Sequence, residues 1–219
     1  VRVPEQAQGV EGSSVYLRAG EHLTVKELLY GLMLQSGNDC AVALALTVGG
    51  SIENFAAMMN DKAAALGCGN TNFVNPHGLP DDNHYTSARD LAVISAAAMN
   101  NPLVKEIVST KKINISNEGC GYDRVIVNKN KILSSFEGAN GVKTGYTKKA
   151  GRCFVGAAER NGMQLIAVVL NCGPMFEESM SLMDEMFEKY EMKNLAEGVT
   201  IPKCVAVKKG RSGSVKVAC

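Results

Sequence analysis

The chain lacks several things at once, and each absence excludes a class of function. Its 219 residues carry 23 basic and 22 acidic side chains, so a net charge of +1 offers no field to gather nucleic acid or an anionic membrane. No apolar run nears the roughly 18 residues that a membrane-crossing helix needs. The seven cysteines (Cys40, Cys68, Cys120, Cys153, Cys172, Cys204 and Cys219) lie far apart and never form Cys-x-x-Cys. That leaves a zinc or iron–sulfur site little support, and the odd number argues against a complete disulfide framework. The expectation is reduced thiols packed as small hydrophobes. Internal repeats and low-complexity stretches are missing too. Neither an initiator methionine nor a charged-then-apolar leader opens the sequence, which suggests removal of its start by processing or truncation. Three histidines (His22, His77, His84) could in principle serve a serine triad, but no Gly-x-Ser-x-Gly elbow presents the serine.

The pattern that is present reads as helices followed by strands. Thr24-Val25-Lys26-Glu27 fits a capping box, and Val25, Leu28, Leu29, Leu32 and Met33 follow at helical spacing, predicting a helix to about Gln35. Ser36-Gly37-Asn38 falls in the break. A nearly all-apolar helix is expected over Cys40–Val48, buried on most sides, and a third over Ser51–Leu66 with Gly67 as its stop. Residues 67–85 read as loop. Helix resumes from Ser87 to Met99, and Asn101-Pro102 starts a short helix to Val108. From Lys111 the pattern turns to strands. Arg152–Glu159 and Met163–Asn171 flank Asn161-Gly162, a two-residue hairpin signal. A final amphipathic helix sets Phe176, Met180, Met183, Met186, Phe187 and Tyr190 on one side, a stripe better suited to a core than to a cofactor. Beyond Gly198, short strands near Cys204–Lys208 and Ser214–Val217 read as a separate β unit. The whole is an α+β fold: a helical subdomain plus an antiparallel sheet flanked by helices.

Two tripeptides, Ser36-Gly37-Asn38 and Lys143-Thr144-Gly145, lie 107 positions apart (143 − 36) and carry the chemistry. Either alone is weak evidence. Cleaving an amide by a serine without a His–Asp pair needs another base, and a lysine serves when burial or a neighbouring positive charge lowers its pKa. A serine at a helix break can project its hydroxyl into a cleft, and an asparagine two residues on can bond a substrate carbonyl. Lys143 adds charge from an opposite wall, and Thr144 offers a hydroxyl to a carboxylate. Gly145 admits a close backbone approach, and the Tyr146 N–H is suited to half of an oxyanion hole. His77, Asp81, Asp82 and His84 cluster in one loop, but at spacing that supports no metal site. Arg152 belongs on a solvated sheet face and Cys40 in the core.

Glu11 to Glu21, Leu28 to Asp39, Asn75-Pro76-His77-Gly78-Leu79, Tyr85 to Ala92 and Gly141 to Gly151 together resemble the low-molecular-mass penicillin-binding proteins, the serine-type D-alanyl-D-alanine carboxypeptidases. The resemblance implies a β-lactamase/DD-peptidase-like catalytic domain over 1–190 and the truncated start of a C-terminal β domain over 191–219. It implies catalytic roles for Ser36, Asn38 and Lys143: proton relay to the leaving D-alanine nitrogen, a hold on the peptide carbonyl, and an electrostatic cradle. Thr144 and Thr147 would face the terminal carboxylate, Gly145 would admit the ligand, and Tyr146 would give its N–H to the oxyanion. The implied ligands are peptidoglycan stem peptides ending in D-Ala-D-Ala and β-lactam antibiotics. No cofactor or metal is implied. The substrate implies an extracytoplasmic place in a bacterial cell envelope.

One family feature is out of place. The family's Ser-x-x-Lys, bearing the nucleophile on a buried central helix, lies upstream of Ser-Gly-Asn, whereas here the sole formal match is Ser109-Thr110-Lys111-Lys112. The expectation is a chain without its nucleophile segment, inactive and marginally folded alone, or completed by a separate N-terminal polypeptide. Two alternatives stand beside the carboxypeptidase. One is a β-lactamase, for which Glu53, Glu106, Glu118 and Glu137 all lack the Glu-x-x-Leu-Asn context of the deacylating residue. The other is a non-catalytic remnant that binds peptidoglycan or a partner.

Overall fold

The structure, a computed structural model, describes residues 1–115, 123–193, 204–206 and 214–216. Five helices come first. Thr24 caps α1 (Val25–Gln35) through the full capping box, its hydroxyl accepting the Glu27 N–H while the Glu27 carboxylate accepts the Thr24 N–H. The second helix, α2, runs Asn38–Gly49, two residues earlier than the apolar run suggests. Ser51 and Ser87 cap α3 (Ile52–Ala65) and α4 (Ala88–Met99), and Asn101 with Pro102 opens α5 (Pro102–Ser109). A hairpin of β1 (Lys112–Ile115) and β2 (Arg124–Val127) follows, then a one-turn helix α6 (Ile132–Ser135) that periodicity did not reveal.

Three antiparallel strands form the main sheet in the order β3 (Ala139–Thr147), β4 (Gly151–Arg160), β5 (Met163–Val169). Asn161 and Gly162 turn β4 into β5 with φ of 50° and 77°, the positive pair that a primed hairpin turn demands. One face of the sheet packs on α4 and α5, where Met99 and Val108 meet Val142, Val155 and Ala157. The other face packs on α7 (Met175–Lys189), where Phe154, Ala158, Ala167 and Ile132 meet Met183, Met180, Phe176 and Phe187. The methionine stripe is therefore core. Tyr190 departs from it: it follows the last helical residue and stands 62% exposed. A separate core joins the N-terminal segment to α1, α2 and the β hairpin through Leu17, Leu28, Leu34, Val42, Leu44, Ile107 and Ile126.

Strands β6 (Cys204–Ala206) and β7 (Ser214–Lys216) pair antiparallel at the expected positions. The connecting residues of the proposed C-terminal unit, and Glu118 and Cys120, lie outside the described residues. Cys40 and Cys68 are buried and Cys153 and Cys172 half-buried, all four as free thiols. No single helix among the described residues is long and apolar enough to cross a membrane.

Candidate active site

One wall is the junction of α1 and α2. Ser36 ends α1 in the left-handed region (φ 62°, ψ 38°), and the Gly37 N–H reaches back to the Gly31 carbonyl at 3.1 Å. A residue with a Cβ pays about 1 kcal/mol or more for that conformation. Asn38 opens α2 and is held at both ends by the segment before it. Its backbone N–H donates to the Ser13 carbonyl at 2.8 Å and its Nδ2 to the Glu11 carbonyl at 2.6 Å. Gly12 makes that approach possible: its φ is +93°, and a Cβ there would stand 2.7 Å from Asn38 Nδ2. Behind this wall lies Asp39, fully buried. Its carboxylate accepts the Ser14 hydroxyl at 2.6 Å and the N–H groups of Val15, Leu17 and Cys40 at 3.1, 3.0 and 2.9 Å.

The opposite wall is β3, the edge strand of the sheet. Lys143 stands across from Val155 in register, over the core that α4 and α5 build on that face. Its Nζ donates to the Ser36 hydroxyl and to the Thr144 carbonyl at 2.7 Å. The two motifs, 107 positions apart, thus meet side chain to side chain across one groove. Burial lowers the Lys143 pKa from 10.5 to about 8, and the charge of Lys129 adds to the shift.

Lys129 belongs to a third element that no motif announced. The segment Asn128-Lys129-Asn130 bridges the two walls. The Lys129 N–H donates to the Leu34 carbonyl at 3.2 Å, and the buried Asn130 donates its Nδ2 to the Gly141 carbonyl at 2.8 Å. Asn128 Nδ2 reaches the carbonyls of Val108 and Thr110 at 3.2 and 2.9 Å. The Lys129 ammonium itself donates to the Ser13 hydroxyl at 3.2 Å. An Asn-x-Asn flanked by strands and loops has no periodicity to mark it. Only the asparagines' habit of bonding backbone in turns hinted at a structural post.

The remaining named residues lie along β3. Thr144 is half-buried beside Lys143, whereas Gly145 and Tyr146 are exposed. Thr147 accepts the Ala150 N–H at 2.9 Å and lines a cavity of about 360 Å³ with Phe73, Leu79, Pro80, His84 and Cys153. An ion pair between Lys149 and Asp82 ties the loop on one side of this cavity to the β3–β4 turn. His77 and His84 accept the N–H groups of Leu79 and Val74 at 3.2 and 3.1 Å, and burial lowers the pKa of both. Arg152 is exposed and Cys40 is buried. Ser109 ends α5 with its hydroxyl on the Glu106 carbonyl at 3.1 Å, bonded within its own helix.

A hydroxyl at the end of α1 and a half-buried ammonium on β3 thus face each other across a groove at the edge of the sheet. The family model for D-alanyl-D-alanine carboxypeptidase matches residues 1–173, and the chain belongs to that family. It is 35% identical over 220 residues to D-alanyl-D-alanine carboxypeptidase DacF of Bacillus subtilis, covering 99% of this chain and 56% of the relative. It is 39% identical over 162 residues to DacB2 of Mycobacterium tuberculosis, covering 73% of this chain and 55% of the relative. The chain thus spans about half the length of the curated relatives it matches. Among solved structures, D-alanyl-D-alanine carboxypeptidase DacD from Francisella tularensis superposes with a TM-score of 0.82 at 28% identity, over 95% of this chain and 64% of that one. The Streptomyces K15 DD-transpeptidase superposes with a TM-score of 0.74 at 36% identity, over 81% and 72%. The α+β, DD-peptidase-like expectation holds.

Proposed function

We propose that these residues form the proton-relay and substrate-holding part of a D-Ala-D-Ala carboxypeptidase acting on peptidoglycan stem peptides. In this reading a serine hydroxyl attacks the carbonyl of the penultimate D-alanine. The C–N bond breaks, the terminal D-alanine leaves as a neutral amine after taking up a proton, and an ester to the serine remains. Water then hydrolyses the ester and frees the shortened peptide. Ser36, hydrogen-bonded to Lys143, passes the proton to the leaving nitrogen. Asn38 holds the peptide carbonyl. Lys143 and the hydroxyls of Thr144 and Thr147 receive the terminal carboxylate, Gly145 leaves room for it, and the Tyr146 N–H faces the oxyanion. β-Lactams, which carry a comparable amide and carboxylate, are ligands of the same groove. The place of action is the extracytoplasmic face of a bacterial envelope, where such peptides lie.

The observation that carries this reading is the Lys143–Ser36 contact between two distant segments. The attacking serine of a Ser-x-x-Lys motif at the expected place is not among residues 1–219, so the activity is proposed for a protein that holds that motif together with these residues, on one polypeptide or two. The test is D-alanine release from a peptide ending in D-Ala-D-Ala, alongside labelling by a fluorescent penicillin. Release with a persistent label supports the reading, and Ser36→Ala or Lys143→Ala should each lower release by about 10²–10⁴-fold. Rapid penicillin turnover without D-alanine release would make the protein a β-lactamase. Neither label nor release would make it a binding remnant.

A further inference from the structure

The strand that carries Lys143 has an irregular start. Ala139 pairs with Ala158 and Gly141 with Ala157, so Asn140 is an extra residue in β3, a bulge that interrupts the ladder and bends the strand. Side-chain amides hold this point from two directions. On one side Asn140 exchanges hydrogen bonds with Gln164 of β5, its Nδ2 donating to Oε1 at 2.8 Å and its Oδ1 accepting from Nε2 at 3.2 Å. On the other, Asn130 donates its Nδ2 to the Gly141 carbonyl at 2.8 Å. Asn130 is 3% exposed and is itself fixed. Its Oδ1 accepts the Ile132 N–H at 3.3 Å, and its own N–H donates to Asn128 Oδ1 at 2.9 Å. Gly141 sits close on the helices behind it: a Cβ there would stand 3.2 Å from Val108 and 3.4 Å from Met99.

We infer that Asn130 is a positioning residue of this site: through the Gly141 carbonyl it sets where β3 delivers the Lys143 ammonium against the Ser36 hydroxyl. The path is short and made of contacts. The residue before Asn130, Lys129, donates its N–H to the Leu34 carbonyl, and Leu34 lies in the last turn of α1, two residues before Ser36. Gly141 lies two residues before Lys143, about 7 Å of strand, with Val142 buried between them. One amide thus ties together the approaches to both sides of the Lys143–Ser36 contact. Without its donor the buried Gly141 carbonyl loses its partner, and at a bulge the ladder does not hold the strand in its place. Asn130 touches neither Ser36 nor Lys143, so its part is to hold geometry, not to move a proton. The charged groups on the elements around Lys143 are untouched by its replacement. Asp39 on α2 is bonded to Ser14, and Asp90 on α4 to Asn70, Thr71 and Arg89. On α5, Lys105 is paired with Glu159 and Glu106 with Lys26, and on the bridge Lys129 rests on Ser13. The biological meaning of the role rests on the active-site reading above; its test does not.

The test is NMR of the chain with ¹³C-labelled lysine and serine, the Lys143 signal being assigned by its loss in Lys143→Arg. In the wild type a cross-peak should join the Lys143 Cε protons to the Ser36 Cβ protons, and the Lys143 titration midpoint should lie near 8. Asn130→Ala should lose most of the cross-peak and raise the midpoint by about one pH unit as the ammonium moves toward water. Asn130→Asp keeps the size of the side chain and the oxygen that takes the Ile132 N–H, and removes only the donor. It should lose the cross-peak too, and is read by that signal alone because its charge acts on the midpoint directly. Gln164→Leu, at the other hold on the bulge, should weaken the cross-peak by less. Phe154→Ala, which loosens the sheet far from the bulge, should keep both signals. A wild-type cross-peak in Asn130→Ala overturns the inference, as does an equal loss in Phe154→Ala or no cross-peak in the wild type. If Asn130→Ala does not fold, Asn130→Asp and Gln164→Leu decide in the same way. If the cross-peak behaves as stated but D-alanine release is absent, the inference stands and the functional reading falls. If release is present, Asn130→Ala should lower its kcat/KM by about 10- to 100-fold.

Discussion

The two walls of the groove are held by opposite means. The Ser36–Asn38 wall leans on polar groups buried with named partners. Asp39 gathers four donors from residues 14–17 and 40, and Glu21 pairs with Arg124, which also donates to the Val15 and Tyr16 carbonyls at 2.9 and 3.0 Å. The Lys143 wall leans on apolar packing: Phe154, Ala158 and Met183 on one face of the sheet, Met99, Val108 and Val155 on the other. The difference follows from what each wall is made of. A strand satisfies its backbone in the sheet and needs only side-chain burial to stay put. The 11–17 segment has no ladder to join, so buried carboxylates and a guanidinium must take up its N–H and C=O groups. Polar fixing is directional and sets atoms accurately, whereas apolar fixing is strong but tolerant.

The largest effect should come from breaking the polar wall. Asp39→Ala leaves the Ser14 hydroxyl and three N–H groups without their acceptor, at about 1–3 kcal/mol for each that stays dry, so a loss of about 4 kcal/mol or more is expected. In a urea melt this variant should be the least stable of the set, and the Lys143 midpoint should rise as its partner wall moves. Phe154→Ala should cost about 3–5 kcal/mol through the cavity it leaves between β4 and α7. Yet it should leave the Lys143 midpoint within a few tenths of wild type, because strand register carries that residue. Equal displacement of the midpoint by both variants would erase the distinction between the walls.

Lys143 itself should be a stability liability. Its pKa of about 8 in the fold lies below the 10.5 of an exposed lysine. Below pH 8 both folded and unfolded chains hold the proton, and burying it costs about 3 kcal/mol. Between 8 and 10.5 the unfolded chain binds more protons, so the contribution of this group makes stability rise with pH across that window. Lys143→Met should therefore gain about 1–3 kcal/mol at pH 7 and flatten that rise, as followed by melts from pH 7 to 10, while function is lost. The smallest effect is remote from both walls: Thr24→Ala removes the capping box of α1 and should lower stability by about 1 kcal/mol with no change in the Lys143 midpoint.

Local chemistry was legible in the sequence and tertiary chemistry was not. Caps at Thr24, Ser51, Ser87 and Asn101 and the turn at Asn161-Gly162 announce their elements because each meets a backbone need within four residues. The start of α2 lies two residues ahead of its apolar run because Asn38 and Asp39 are polar yet buried, against the pattern by which helices are read. Tyr190 continued a periodic stripe past the point where the helix stops. At the site, Ser36, Asn38 and Lys143 were visible as motif residues. Ser13, Lys129 and Asn130 were invisible, since their meaning lies in contacts to residues 116, 95 and 11 positions away or more remote in space than in pattern. The α6 turn has no signature in the sequence because four residues show no period.

The groove depends on a half-buried ammonium held against the hydroxyl at the end of α1. The most direct check is the titration midpoint of Lys143 in the wild-type chain. A midpoint near 8 is what the groove requires. A midpoint near 10.5, as for a lysine in open solvent, would mean that the strand and the helix junction do not face each other as described.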